Sequence, residues 1–295
     1  MILHEPVLRA ETVEQLAPAG RGVFVDCTVG TGGHTEALLE AGATRVLGLD
    51  RDAEVLPLAR ERLAAWGDRV DLVHADYRRV DQVLDQLGIE QVDGALADLG
   101  HSSVQIEAEG RGFSFRRADP LDMRMDRSQG RTLAELLDEV TPDTLADVIF
   151  EYGEERRSRR IARGIVWARD RGGLATTANL AAVVSRSAPV RGRPRIHPAT
   201  RTFQAFRIWV NQELDGLDAF LRVVARRLRA GARLAVISFH SLEDRIVKYT
   251  FRELERGGDL AMRALTRKPI RPGRAEVARN PRARSAKLRV AERLS

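Results

Sequence analysis

The sequence VFVDCTVGTGGHTEALLEAGATRVLGLD (residues 23–50) carries the clearest local signals of the fold. An apolar run at 23–25 predicts a short strand, and the glycines within 30–33 predict a tight turn that a ligand can approach closely. Apolar residues at helical spacing follow, and a second apolar run at 46–49 ends on Asp50. The stretch therefore predicts a strand, a glycine-rich turn, a helix and a second strand that closes on an acidic side chain.

This arrangement indicates a nucleoside ligand, because an acid at the end of a second parallel strand can accept both hydroxyls of a ribose. A dinucleotide fingerprint is G-x-G-x-x-G, but Thr35 stands where its third glycine would lie. S-adenosylmethionine fits better, with its carboxylate on free N–H groups of the turn and its ribose on Asp50. A turn that binds nothing is the alternative, since a lone glycine motif has low specificity.

The composition predicts a cytoplasmic, globular protein. The 295 residues are 43% hydrophobic, which is ordinary for a packed domain, and they contain neither a run of eighteen apolar residues nor a signal peptide. Cys27 is the single cysteine, so no internal disulfide can form, and a buried thiol is expected. The six histidines show no paired spacing with cysteine or acids, so no metal site is predicted.

Positive charge is concentrated near the C-terminus. Residues 263–295 hold eleven Lys/Arg and two Glu, a balance of +9 against +6 for the whole chain, which leaves −3 for residues 1–262. Two further arginine groups lie within 156–169 and 186–201. Such segments suit a polyanion, with nucleic acid as the first candidate and a merely solvated surface as the alternative.

The alternation of apolar runs and helical patterns continues to residue 99, which predicts an α/β domain with a parallel sheet. Strands are expected at 70–74 and 92–99. Ligands of such sheets bind beyond the carboxyl ends of the strands, where Tyr77, Asp98 and Ser102 fall. Tyr77 is a candidate to bracket a purine, with ordinary packing as the alternative.

From about residue 106 to 200 no clear strand is predicted, and helices are expected at 132–137, 142–150, 156–167 and 177–184. We therefore divide the chain into a first sheet part (1–105), a helical insertion that recognises substrate (106–200), and a second sheet part with the basic stretch (201–295).

In this last part, one helical period runs across 203–228 and is expected to end at Gly231, before a strand at 234–239. Ser241 with Asp244 predicts a capping box for the following helix. Residues 264–266 and 288–291 predict a final antiparallel pair.

Eight segments, in order along nearly the whole chain, resemble one family, the bacterial 16S ribosomal RNA (cytosine-N4) methyltransferases, also called RsmH or MraW. The segments are DCTVGTGGHT (26–35), DLGHSS (98–103), RGFSF (111–115), PLDMRMD (120–126), YGEER (152–156), HPATRTFQAFRIWVNQEL (197–214), ISFHSLEDRIVK (237–248) and NPRARSAKLRVAER (280–293). The resemblance implies a class I S-adenosylmethionine-dependent, Rossmann-like sheet domain with an inserted all-helical domain. It also implies N4-methylcytidine as the product, at a decoding-centre position of 16S rRNA.

Carried over by motif, the family's cofactor contacts fall on these residues: Gly32, Gly33, His34, Asp50, Tyr77, Asp98 and Gln105. This chain has Tyr77 where the family more often has phenylalanine. It departs from the pattern at His101 and Val104, where valine and proline are usual.

A hydrogen-bond acceptor for the cytosine amino group is expected near Asp98, with Asp98 itself, Ser102 or a backbone carbonyl as candidates. The partner expected is 16S rRNA, within a small-subunit particle, for a monomer or homodimer without membrane attachment.

Two other functions stay open at this stage. DNA amino-methyltransferases usually carry Asp/Asn-Pro-Pro-aromatic after the fourth strand, and here residues 98–101 read Asp-Leu-Gly-His. A non-catalytic RNA-binding assembly factor that retains a cofactor fold is the other alternative.

Overall fold

The computed structural model describes residues 6–17, 22–100, 105–106, 108–189, 196–257 and 260–294, which fall into two compact units. Residues 1–100 and 216–295 form the first, called the sheet unit, and residues 101–215 form the second, called the helical unit. Among the described residues, no helix has the length and apolar character needed to cross a membrane.

The strands of the sheet unit are β1 (Val23–Asp26), β2 (Arg45–Asp50), β3 (Val70–His74), β4 (Val92–Asp98), β5 (Leu228–Ser238), β6 (Met262–Ala264) and β7 (Lys287–Arg293). They form one sheet in the order β3-β2-β1-β4-β5-β7-β6. Neighbours from β3 to β5 are parallel, and β7 runs antiparallel to both β5 and β6. The predicted Rossmann-like class I fold, including its last antiparallel pair, is confirmed.

The helices described along the chain are α1 (Arg9–Leu16), α2 (Gly33–Glu40), α3 (Leu56–Leu63), α4 (Val80–Gln86), α5 (Leu133–Glu139), α6 (Pro142–Gly153), α7 (Ser158–Arg169), α8 (Thr177–Ser187), α9 (Thr200–Asn211), α10 (Leu217–Arg227), α11 (Ser241–Glu255) and α12 (Arg274–Arg279). Helices α5 to α9 lie in the helical unit.

Both faces of the sheet are covered because neighbouring strand residues point to opposite sides. Phe24 and Val46 join a core with α1, α2 and α3, while Val25 and Leu47 join a second core with α4, α10 and α11. The strand order reverses between β1 and β4, which both leave the sheet at the same edge. In α/β sheets that crevice is where ligands bind.

The single helix expected across 203–228 is wrong. Helix α9 ends at Asn211 and is capped by Gln212, whose φ is +50°, and α10 begins after Gly216, whose φ is +68°. Strand β5 then starts at Leu228, so Gly231 (φ +80°) lies inside the strand and ends no helix. The apolar spacing stays in phase across the break, which is why periodicity alone did not reveal it.

The capping box of α11 is one residue away from the predicted position. His240 is the N-cap, its ring nitrogen accepts from the N–H of Glu243, and the Glu243 carboxylate accepts from the N–H of His240. Ser241 is the first helical residue. Histidine is an uncommon cap, so the Ser–Asp template matched at the wrong register.

The helical unit has its own core, and the helices predicted within it are all present. Leu133, Ile149, Ile161 and Val184 from four different helices are buried there. Helix α9 packs against α6, with the Gln204 amide donating to the carbonyl of Tyr152. Because of this packing, the helical unit includes α9 and spans residues 101–215. The sequence predicted an insertion over residues 106–200.

Residues 111–126 form neither helix nor strand, and buried polar side chains hold this loop in place. The guanidinium of Arg111 donates to the carbonyls of Arg124 and Met125. The amide of Asn211 accepts from the N–H of Met125 and donates to the carbonyl of Met123. These bonds explain a fixed loop that has no helical or strand period.

Candidate functional site

The glycine-rich turn joins β1 to α2 at the edge where β1 and β4 end. Gly30 and Gly32 have φ of +52° and +84°, values that favour glycine. A Cβ on Gly32 would lie 2.9 Å from Cδ1 of Leu63, and one on Gly33 would lie 3.0 Å from the ring of Pro6. These glycines are therefore required for packing inside the protein as well as for approach of a ligand.

Helix α2 begins at Gly33, so its first N–H groups have no partner within the helix and point toward the turn. Such a helix start favours a carboxylate. The sequence predicted free N–H groups in the turn, but those of Gly30 and Gly32 are not free. They donate to Asp50 and to the carbonyl of Val29. The donors that remain for a ligand are those of the helix start.

Asp50 closes β2 and bridges two backbone segments. Its carboxylate accepts from the N–H of Gly30 at 2.8 Å and from that of Asp52 at 2.9 Å. Burial raises the pKa of Asp50 to about 6, against the lowering effect of those two hydrogen bonds. The charges of Asp52 and Asp26 raise it further. A partly desolvated carboxylate with remaining lone pairs is well suited to accept hydroxyl groups.

Asp26 and Thr28 connect the ends of β1 and β4. The Asp26 carboxylate accepts from the hydroxyl of Thr35 at 2.8 Å and from the N–H of Thr28 at 3.2 Å. The Thr28 hydroxyl in turn accepts from the N–H of Asp98 at 2.7 Å. Burial raises the pKa of Asp26, although the nearby His34 and these hydrogen bonds lower it. Asp26 is buried and serves to fix the turn.

His34 and Asp98 meet at the junction of α2 and β4. Nε2 of His34 lies 3.6 Å from Oδ2 of Asp98, and their side chains are 5% and 24% exposed. Within the described residues, neither ring nitrogen of His34 has a hydrogen-bond partner, and Oδ1 of Asp98 has none. Buried polar atoms normally have partners, so these atoms fit the polar groups of a ligand.

Tyr77 lies just after β3, where the sequence placed it, but its ring is 8% exposed and packs against Phe220 at 4.6 Å between centroids. Its neighbour Asp76 accepts from Arg78 at 2.6 Å and lies 3.7 Å from Arg51. Burial raises the pKa of Asp76, but the two arginines outweigh it and hold that pKa below its usual value. Packing therefore accounts for most of the Tyr77 ring.

The sheet unit contains six of the seven residues expected to contact the cofactor: Gly32, Gly33, His34, Asp50, Tyr77 and Asp98. Gln105 is buried and lies in the helical unit. Ser102, the other candidate acceptor, lies outside the described residues, as do His101 and Val104. Cys27 is buried as expected, and burial raises the pKa of its thiol well above the usual value, which argues against a nucleophile.

Sequence reasoning missed the supporting roles of Asp26, Thr28 and Thr35. The available signal was three short polar side chains interrupting a buried strand–turn–helix, where each must find a hydrogen-bond partner.

A family model described as the MraW methylase family matches residues 1–294. The chain is 52% identical to ribosomal RNA small subunit methyltransferase H of Sorangium cellulosum over 291 residues, which covers 99% of this chain and 91% of that protein. It is 50% identical to the protein of the same name from Thermotoga neapolitana over 295 residues, which covers 98% and 95%. It is also similar to the crystal structure of an rRNA methylase from Streptococcus thermophilus, with 13% identity, a TM-score of 0.44 and coverage of 100% and 99%.

Proposed function

Because the chain belongs to the MraW methylase family, we propose that it transfers a methyl group from S-adenosylmethionine to the N4 amine of a cytidine in 16S ribosomal RNA, near the decoding centre. The relatives named as small-subunit rRNA methyltransferases support the choice of rRNA as substrate. The observation that carries the proposal is the meeting of the glycine turn, Asp50 and Asp98 at the ends of β2, β1 and β4.

S-adenosylmethionine is the cofactor, and it supplies a methyl group activated by a positively charged sulfur. The carboxylate of Asp50 accepts the ribose hydroxyls, and the N–H groups at the start of α2 receive the amino-acid carboxylate. His34 and Asp98 offer the buried polar atoms that still need partners among the described residues. Tyr77 and Gln105 are the remaining contacts that the family motif implies.

The amine to be methylated is a weak nucleophile, because its lone pair is delocalised into the cytosine ring. Holding it in line with the methyl group therefore supplies much of the acceleration. An acceptor on the amine N–H favours a tetrahedral nitrogen, and the proton can leave after transfer. We assign this acceptor to Asp98, since the bond from its N–H to Thr28 fixes its backbone while Oδ1 stays available.

The substrate proposed is the small-subunit particle in the cytoplasm. A labelled-methyl assay on naked 16S rRNA, assembled small subunits and DNA tests this. Transfer to rRNA or subunits, but not to DNA, is expected. Label in DNA would indicate an amino-methyltransferase of DNA, and label in neither nucleic acid would indicate a non-catalytic assembly factor.

A further inference from the structure

One exposed face of α7 carries a continuous row of arginines with a tryptophan. We call it the α7 stripe, and its members are Arg156, Arg159, Arg160, Arg163, Trp167 and Arg171. Arg159, Arg160, Arg163 and Trp167 lie on α7 at spacings that place them along one side of the helix, while Arg156 precedes α7 and Arg171 follows it. The opposite side buries Ile161, Ile165 and Ala168 in the core of the helical unit.

The arginines of the stripe have no acidic partners within the described residues. Arg156, Arg159, Arg160 and Arg163 make no ion pair there within 4.0 Å, and the Arg163 guanidinium donates only to the carbonyl of Arg159. By contrast, Arg169 pairs with Asp170 at 2.9 Å and donates to two carbonyls at the C-terminal end of α5, those of Leu137 and Val140. The charges of the stripe are therefore available to a ligand.

The position of these charges opposes the stability of the helix. Positive side chains near a helix N-terminus face the positive end of its dipole, and the first turn of α7 contains no acid. Arg159 and Arg163 are like charges four residues apart on the helix, which also repel. A surface selected only for solubility would not need this arrangement. A bound polyanion would neutralise the arginines and so remove both the unfavourable interaction with the helix dipole and the repulsion between like charges.

Trp167 adds a flat apolar surface to the stripe. It is 59% exposed, although the guanidinium carbon of Arg171 lies 4.2 Å from its ring centroid. Arg171 also donates to the Trp167 carbonyl at 3.3 Å, which holds the pair together. A tryptophan backed by a guanidinium plane is a platform on which an unpaired base can stack.

Building on the proposed function, we propose that the α7 stripe binds a single-stranded or looped segment of the small-subunit rRNA. Arg159, Arg160 and Arg163 contact successive phosphates, and one base stacks on Trp167. A guanidinium binds phosphate in a bidentate manner, which suits this role better than a lysine would. The stripe thus docks the RNA on the helical unit.

A membrane surface fits the stripe less well. Amphipathic helices that bind membranes insert their apolar face into the lipid. The apolar face of α7 is buried in the protein core, and Trp167 is the only large apolar side chain on the exposed face of this helix.

The test compares variants of the full-length protein for affinity to 16S rRNA transcript over a range of salt concentrations. The variant Arg160→Ala/Arg163→Ala should reduce the slope of log K against log salt by about 0.7 per arginine. The variant Trp167→Ala should weaken binding roughly 5- to 150-fold, while Trp167→Phe should restore most of the affinity.

Two matched controls are available in the same unit. Arg131→Ala removes an exposed arginine that already pairs with Glu139, and Phe150→Ala removes an exposed aromatic residue on α6. Both should bind RNA like the wild type. Thermal melting of each variant shows that it remains folded.

Unchanged RNA affinity and salt slope in folded stripe variants would overturn the docking proposal. It would also be overturned if these variants lost binding to anionic phosphatidylglycerol vesicles while they kept the RNA affinity of the wild type. The proposed function is judged separately by methyl transfer of the wild type. A wild type that binds RNA through the stripe but methylates none would refute the function and leave the docking surface in place.

Discussion

The main-chain N–H of Gly30 donates a 2.8 Å hydrogen bond to Oδ2 of Asp50, which ties the glycine-rich turn after β1 to the end of β2. The carboxylate that is proposed to hold the ribose therefore also sets the shape of the turn. Its other oxygen accepts from Asp52, so both oxygens are oriented before any ligand arrives. Such preorganisation reduces the cost of binding.

Asp50→Asn should weaken S-adenosylmethionine binding by roughly 10- to 100-fold, because hydrogen bonds to a charged acceptor are worth about 1.5–3 kcal/mol each. The substitution keeps the size of the side chain. Isothermal calorimetry measures the effect, and Glu61→Gln, an exposed change on α3, is the control with wild-type affinity. Equal affinity of Asp50→Asn and wild type would remove Asp50 from the cofactor site.

Cofactor affinity should depend on pH through Asp50. Its pKa is raised to about 6, chiefly by burial, so the carboxylate takes up a proton as the pH falls through 6 and loses acceptor strength. The dissociation constant should be level above about pH 7 and rise below about pH 6. Asp50→Asn should abolish most of this rise, even though Asp26, whose pKa burial also raises, still titrates.

The stability of the free protein should respond to the same group with the opposite sign. Because the pKa of Asp50 is higher folded than unfolded, its ionisation lowers the free energy of unfolding as the pH rises from about 4 to 6. The comparison is denaturant unfolding of wild type and Asp50→Asn at several pH values. The wild type should gain free energy of unfolding relative to Asp50→Asn as the pH falls from about 6 to 4, and a relative loss over that range would contradict the assignment.

Asp98→Asn should slow methyl transfer at saturating cofactor by roughly 10²- to 10⁴-fold, the usual contribution of a positioned proton acceptor. Single-turnover transfer to small subunits gives the rate, and calorimetry gives the cofactor affinity of the same variant. A wild-type rate at saturating cofactor, together with weakened cofactor binding, would show that Asp98 binds the cofactor and does not accept a hydrogen bond from the cytosine amine.

Thr28→Val should destabilise the sheet unit by about 1–3 kcal/mol, because the N–H of Asp98 loses its acceptor in a partly buried position. Methyl transfer should fall as well, since Thr28 fixes the backbone that carries Asp98. Thr28→Ser keeps the hydroxyl and is the matched control. Denaturant unfolding that finds Thr28→Val as stable as Thr28→Ser would contradict this role.

Gly32→Ala should cost more stability than its backbone conformation alone explains. A left-handed residue other than glycine costs about 1–2 kcal/mol, and the new Cβ would also lie 2.9 Å from Leu63. Gly88→Ala has a similar φ of +66° with nothing within 4 Å, so it measures the backbone cost by itself. Equal losses in the two variants would show that the contact with α3 is unimportant.

The sequence predicted the strand–turn–helix–strand over residues 23–50 because each of its signals is local: apolar runs, glycines and a terminal acid. It did not predict the break between α9 and α10, since Gln212 adopts a left-handed conformation that carries no residue signature and the apolar phase continues across it. The bond from Asp98 to Thr28 was also missed, because it joins residues 70 positions apart. Distances of that kind are set by the assembled sheet.

Mass spectrometry of small-subunit rRNA from cells with and without this gene tests whether the protein methylates a cytidine N4. We predict one N4-methylated cytidine near the decoding centre that disappears with the gene and returns with the wild-type gene but not with Asp50→Asn. An unchanged modification pattern in the deleted strain would show that this protein does not methylate that cytidine.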